Sequence, residues 1–218
     1  HSLGEYSALA CVGSIKFEDT LKILKKRGEF MQEAVPSGEG AMLAVLGVAS
    51  KELDKILEIN NKKYECFIAN DNSNLQVVVS GLKKDINLLS DDLNDKKIKN
   101  LKLNVSAPFH CKYMKTASDK MTNYINDLKM NDLEKPIISN VTASETSSSK
   151  EIKSLLISQI EKKVRWLESV EYMINNGVKN FVEIGPGKVL SGLIKRINKN
   201  VNVNSINSEE DIKLLIND

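Results

Sequence analysis

The sequence is short of most residues that announce a chemistry. Its three cysteines, Cys11, Cys66 and Cys111, are an odd number without metal-ligand spacing, which argues against a disulfide framework and fits a reducing compartment. Aromatic residues make up only 5%, with a single tryptophan, and four prolines interrupt 218 residues. No apolar run approaches the roughly 18 to 20 residues that a membrane span requires, and no signal peptide is visible, so a cytoplasmic protein is expected. Charge of one sign is lacking too. Thirty-one basic against 29 acidic residues leave a net charge of +2, which gives no general basis for binding nucleic acid. Histidine is scarcer still, at two positions, His1 and His110. Any imidazole base must be one of these.

What is present is an ordinary soluble balance, 41% hydrophobic and 28% charged, enough to bury the core of one large domain or two smaller ones. The stretch HSLGEYSAL, His1 to Leu9, sets Ser2 just ahead of a helix, and Gly4 supplies the second glycine of a GxSxG nucleophile elbow, where a residue without Cβ lets the serine hydroxyl stand clear. The first glycine would precede His1, so the chain is expected to begin inside its own motif and to lack the strand that feeds the turn. Glu5 suits a helix N-terminus. The alternative is an ordinary helix start with Ser2 as N-cap.

Along the chain, small residues at 3–12 predict a helix that Gly13 ends, and 17–35 predicts a second one, broken by Pro36, Gly38 and Gly40. A domain boundary is placed there. The next segments read as strand 41–46, helix 51–59, strand 65–69, strand 76–80, helix 84–93 and strand 98–105. That β-α-β-β-α-β order is the ferredoxin-like unit. Asn70, Asn72, Ser73 and Asn74 read as a polar turn between its middle strands, with lining a cleft as a second role. Beyond Pro108 come a helix at 112–128, a strand at 137–140, a Ser-rich loop at 144–149, helices at 151–160 and 166–176, a strand at 179–184, a helix through Arg196, a strand at 201–206 and a last helix from Ser208. Such alternation predicts a parallel, helix-covered sheet. The domains expected are therefore 1–36 with 107–218, and 37–106 inserted between them.

A serine hydroxyl is a poor nucleophile until a base takes its proton. His1 adjoins Ser2 in sequence, but residues flanking a tight turn usually point apart. His110 is then the candidate base, with a loop histidine at a domain junction as the alternative. Arg27 is the one arginine among the lysines of its helix, and a planar guanidinium grips a carboxylate bidentately where an ammonium does not. A surface arginine is the commoner fate of such a residue. Gly185, Pro186 and Gly187 resemble a phosphate loop but lack the rest of its spacing, so a structural turn is expected. Cys111 adjoins the candidate base without a reason to face Ser2. Asp91, Asp92 and the acids from Glu209 to Asp211 read as solvated helix faces.

Taken together, HSLGEYSAL, KKRGEFMQEAV, ANDNSNLQVVVSG, NVSAPFHCKYM and VEIGPGKVLSGLIKRI resemble, in order and nearly end to end, the malonyl-CoA:acyl carrier protein transacylase family. The family's N-terminal part, with a GQG motif and an oxyanion-hole glutamine, has no counterpart in this sequence. The resemblance implies an α/β fold, an α/β-hydrolase-like parallel-sheet domain with an inserted ferredoxin-like α+β subdomain. It implies Ser2 as the acylated nucleophile, His110 as base, the backbone carbonyl of Gln159 orienting that histidine, and the backbone N–H of Leu3 as an oxyanion donor. Arg27 would hold the malonyl carboxylate, with Met31 lining the same pocket and Asn72 adjacent to the site. Phe109 would leave little room for a 2-methyl group, and Lys195 with Arg196 would meet the acyl carrier protein. The implied activity moves a malonyl group from malonyl-CoA to the phosphopantetheine thiol of acyl carrier protein, in fatty acid biosynthesis. An acyltransferase for another extender unit in polyketide assembly and a serine hydrolase or thioesterase are the alternatives. No metal and no bound cofactor are expected, nor nucleic acid or membrane partners, and a monomer is expected.

Overall fold

A computed structural model describes residues 1–105 and 107–217, and Ser106, which precedes the candidate base, lies outside them. Helices α1 (Ser2–Cys11) and α2 (Phe17–Glu33) come first. Ser2 and Arg27 are carried on these two helices. Next is a unit of β1 (Gly40–Leu46), α3 (Ser50–Ile59), β2 (Cys66–Ser73), β3 (Gln76–Leu82), α4 (Lys83–Asp95) and β4 (Asn100–Lys102). Its sheet is antiparallel throughout, in the order β2-β3-β1-β4. Period-two alternation divides the strand residues between two faces. Leu43, Val45, Ile68, Val77 and Val79 pack under Leu53 and Leu57 of α3 and Ile86, Leu89 and Leu93 of α4. Met42, Ala44, Ala69 and Val78 form the other face, against which Phe109 packs. The loop leading to His110 therefore rests on the sheet.

The remaining elements are a 3₁₀ turn (Lys112–Met114), α5 (Lys115–Asn126), β5 (Ile137–Ile138), β6 (Glu145–Thr146), α6 (Ser149–Gln159), α7 (Trp166–Asn175), β7 (Asn180–Ile184), α8 (Val189–Ile197), β8 (Asn202–Ile206) and α9 (Glu209–Asn217). The apolar stripe Ala117, Met121 and Ile125 of α5 joins Tyr6 and Leu9 of α1, Ile23 and Met31 of α2, and Ile152 and Leu156 of α6 in a second core. A smaller cluster holds Val170, Phe181, Ile194 and Val201. Helix α6 starts where the Ser148 hydroxyl accepts from the N–H of Glu151, an S-x-x-E cap, and runs until it delivers Gln159 to the α1 side. Among the described residues no helix is long and apolar enough to cross a membrane.

Several expectations are corrected. Asn70, Asn72 and Ser73 are not a turn: β2 continues through them, and the connection to β3 is only residues 74–75. The strand is prolonged because Asn70, Asp71 and Ser73 pair with Val78, Val77 and Gln76 of β3, while its other edge is met at Asn70 by Val164, whose N–H donates to Ala69 O at 2.8 Å and whose carbonyl accepts from the Asp71 N–H at 2.9 Å. The Ser-rich loop contains β6, which pairs antiparallel with β5. Parallel strand pairing among the described residues is confined to β7 with β8 and the bridge at Asn70 and Val164, a smaller parallel sheet than the alternation predicts. The strand expected at 98–105 is ladder-paired only over Asn100–Lys102.

Candidate active site

Gln159, fully buried at the end of α6, is where the chemical groups meet. Its side-chain oxygen accepts from Arg27 Nη2 at 2.9 Å, and its Nε2 donates to the Ser2 carbonyl at 3.0 Å and to Glu5 Oε2 at 2.7 Å. Its backbone carbonyl lies 2.8 Å from His110 Nδ1. Arg27 Nη2 also reaches the Ser2 hydroxyl, at 3.5 Å. One residue thus connects the candidate nucleophile, base and cation.

Local sequence explains these positions. Ser2, Glu5, Tyr6 and Leu9 recur at helical spacing on α1, and the last three are buried. The first α1 hydrogen bond runs from Glu5 N–H to His1 O at 3.0 Å, so the amide of Leu3 precedes the helical ladder and is free of it. The Leu3 side chain is exposed. Arg27 and Met31 stand one turn apart on the buried side of α2. Arg27 is 8% exposed, so it is not a surface arginine; its guanidinium carbon lies 5.6 Å from the Tyr6 ring centroid. His110 has φ of +60°, a left-handed conformation unusual for a side-chain-bearing residue. It is held by the turn in which Phe109 N–H donates to Ala107 O at 3.1 Å and the Cys111 thiol donates to Pro108 O at 3.0 Å.

Burial governs the electrostatics. The His110 ring, deep in the protein and beside the Arg27 charge, has its pKa pushed down to about 4, with backbone contacts to Gln159 and Lys162 opposing the shift. It is neutral at pH 7. A carbonyl only accepts, so Nδ1 carries the proton and the lone pair is left on Nε2. Burial also lowers the Arg27 pKa, against the favourable influence of Tyr6 and Glu5, and Arg27 Nε has no partner among the described residues. The Glu5 carboxyl is raised by burial, opposed by hydrogen bonds from Gln159 and from the Asn140 N–H at 3.2 Å.

Other expected residues lie further out. Asn72 is buried in β2 and its Oδ1 is 3.0 Å from His1 Nε2, while the His1 ring stacks at a tilt on Trp166, 5.7 Å between centroids. Met31 is a core residue, and Phe109 packs against both the helical core and the sheet. Lys195 and Arg196 are exposed near the end of α8; Lys195 donates to Val201 O at 2.7 Å and Arg196 to Gln76 Oε1 at 2.8 Å. Cys111 is buried and its thiol is raised by that burial, away from the thiolate form that a nucleophile needs. A cleft of about 470 Å³ borders His110, between Phe67 and Lys162, but Ser2 and Arg27 do not line it. A Cβ at Gly4 would meet no described atom within 4 Å beyond its chain neighbours and the backbone of its own helix. At the GPGK turn Gly185 and Gly187 adopt φ of +131° and +95°, and the Glu183 carboxylate accepts from the first α8 amides, Leu190 at 3.0 Å and Ser191 at 2.7 Å. That carboxylate occupies the place a phosphate would need.

Sequence reasoning missed Glu5 and the side chain of Gln159. The signal for Glu5 was its place on the same helical face as Tyr6 and Leu9, a buried position rather than a solvated first turn. Nothing local marked the Gln159 amide.

Compared with known proteins, residues 1–213 match the family model described as acyl transferase domain. The malonyl CoA-acyl carrier protein transacylase of Bacillus subtilis (strain 168) is 42% identical over 221 residues, 99% of this chain and 69% of that protein. The acyl-carrier-protein-S-malonyltransferase of Bartonella henselae superposes with a TM-score of 0.95 at 39% identity, over 100% of this chain and 69% of its own. A malonyl-transacylase solved in complex with its type II PKS acyl-carrier protein superposes with a TM-score of 0.94 at 36% identity, over 100% of this chain and 71% of its own.

Proposed function

We propose, on the premise that this chain belongs to the acyl transferase domain family and to its malonyl CoA-acyl carrier protein transacylases, a division of labour among the residues around Gln159. The reaction moves a malonyl group from coenzyme A to acyl carrier protein, in fatty acid synthesis. In the first half, Ser2 Oγ attacks the thioester carbonyl while its proton passes to His110 Nε2, and the C–S bond breaks as the proton returns to the departing coenzyme A sulfur. In the second half, the carrier thiol attacks the malonyl-serine ester, giving its proton to His110, and Ser2 leaves reprotonated. A neutral imidazole with Nδ1–H pinned on the Gln159 carbonyl is poised for both directions of transfer. The amide of Leu3 is assigned to the oxyanion. Lys195 and Arg196 are assigned to the carrier protein. Asn72, Met31 and Phe109 are read as walls of the substrate site. The route as proposed draws on protein groups alone.

The two cores support the finer reading of the fold. The β1–β4 unit, with its sheet order and two helices on one face, is consistent with a ferredoxin-like arrangement, and residues before and after it share one core, as an insertion within an α/β-hydrolase-like domain would.

The single observation that carries the function is Arg27: a buried guanidinium whose Nε has no partner among the described residues and whose Nη2 lies 3.5 Å from the hydroxyl of the serine that would be acylated. A substrate with a free carboxylate supplies the missing partner; a neutral acyl chain does not. A thioesterase for neutral chains would have no use for this cation. Removing one partner of a desolvated charge pair costs about 2 to 5 kcal/mol, so Arg27→Ala is expected to lower kcat/KM for malonyl-CoA by about 30- to 3,000-fold. Acylation by acetyl-CoA should change little. The experiment is single-turnover acylation with both thioesters, with the label mapped by peptide mass. Label away from Ser2, or equal slowing of both thioesters, would overturn the assignment.

A further inference from the structure

Glu5 is a buried carboxylate to which the mechanism above gives no task. It is 4% exposed, one turn beyond Ser2 on α1. Its Oε2 accepts from Gln159 Nε2 at 2.7 Å and from the Asn140 N–H at 3.2 Å, while buried Oε1 has no partner among the described residues. An acid in such surroundings is unfavourable unless it holds something. What it holds is one end of an amide.

A primary amide has two ends of nearly the same shape and opposite hydrogen-bonding character, so turning it over exchanges an acceptor for a donor. At Gln159 the acceptor end meets a cation, Arg27, and the donor end meets an accepting carboxyl oxygen, Glu5 Oε2. Turned over, the amide would present N–H groups to the guanidinium and an oxygen to the carboxylate. Both contacts would become repulsive. Glu5 therefore fixes the sense of the amide, and the amide fixes the position of Arg27. The second donor contact, to the Ser2 carbonyl at 3.0 Å, does not carry the charge that makes this choice strong.

We infer that Glu5 is a positioning residue for substrate selection: through the Gln159 side chain it aims Arg27 at the free carboxylate of the incoming acyl group. The inference rests on the reading of Arg27 given above. His110 and the Gln159 carbonyl on which it rests are outside these side-chain contacts, and Ser2 meets them through its backbone carbonyl and at 3.5 Å from Arg27 Nη2. Loss of the accepting Glu5 carboxyl should thus damage the choice of substrate more than the acylation chemistry.

The test is single-turnover acylation of Ser2 in the full-length protein by malonyl-CoA and acetyl-CoA, comparing wild type, Glu5→Gln, Arg27→Ala and the double variant. Glu5→Gln keeps the size of the side chain but removes its charge. It is expected to lower the malonyl-to-acetyl ratio of kcat/KM about tenfold, the effect of one charge-assisted hydrogen bond, chiefly through a raised KM for malonyl-CoA. Added to Arg27→Ala, it should lower the ratio no further. Equal slowing of both thioesters by Glu5→Gln, or independent multiplication of the two effects on the ratio, would overturn the inference. Should Glu5→Gln not fold, Gln159→Met removes the amide while keeping the backbone carbonyl, and an unchanged ratio there overturns it equally. If Arg27→Ala itself leaves the ratio intact, the reading of Arg27 has failed. If Arg27→Ala collapses the ratio and Glu5→Gln does not, only the role of Glu5 is lost.

Discussion

His110 combines two unfavourable conditions, a left-handed backbone and a ring buried next to a cation. Strained backbone of this kind costs about 1 to 3 kcal/mol and persists where the surroundings over-determine it. Here it turns Nδ1 onto the Gln159 carbonyl. The consequence for pH is specific. The ring takes a proton near pH 6.5 in the unfolded chain and only near 4 when folded, so between these values the unfolded state binds more protons. The contribution of His110 to stability is therefore complete above about 6.5 and is lost as the pH falls towards 4. Ser2 acylation, followed as kcat/KM against pH, should keep its His110-dependent acid limb near pH 4; a half-maximum near 6.5 would show a solvated ring. At this scale the sequence was legible where a residue type is scarce. Two histidines left little choice of candidate base, and one arginine among the lysines of its helix stood out. The Gln159 side chain was not legible, because its partners Ser2, Glu5 and Arg27 are brought to it only by the tertiary fold.

Among the elements, β1 has the closest bearing on the site. A Cβ at Gly40, its first residue, would stand 2.2 Å from Pro108 Cδ, 2.8 Å from Pro108 N and 2.9 Å from Ala107 Cα. These are largely backbone atoms of the loop that carries His110, and they have no rotamer by which to yield. Gly40→Ala is expected to cost about 1 to 3 kcal/mol of stability by overpacking. It should also lower kcat for Ser2 acylation in the fraction that remains folded. Urea unfolding beside active-site titration separates the two effects, and a folded Gly40→Ala variant with unchanged kcat would show that the loop adjusts freely. Sequence placed β1, β3 and the helices within a few residues, because their apolar periodicity is local. It ended β2 early. Polar residues in succession look like a turn, yet they pair with β3 across a two-residue connection and meet Val164 at Asn70, and their polarity hides both contacts from an apolar-periodicity reading.

For the molecule as a whole, the proposed carrier contact rests on two charges. Lys195 and Arg196 sit at the exposed end of α8, and Arg196 also ties that helix to Gln76 at the start of β3. Reversing both charges is expected to raise KM for acyl carrier protein, the more so at low salt, while leaving Ser2 acylation by malonyl-CoA nearly unchanged. Equal loss in both half-reactions would instead assign the pair to anchoring α8. The contacts of Gln159 have a consequence of another kind, for the order in which the protein assembles. Its bonds to Ser2, Arg27 and His110 close separations of 157, 132 and 49 residues. The entropy of closing such loops must be met before the contacts return anything, whereas the β2–β3 hairpin and each helix close over a handful of residues. A refolding chain can thus possess its helices and its hairpin and still be inert, waiting for a single glutamine to find three distant partners.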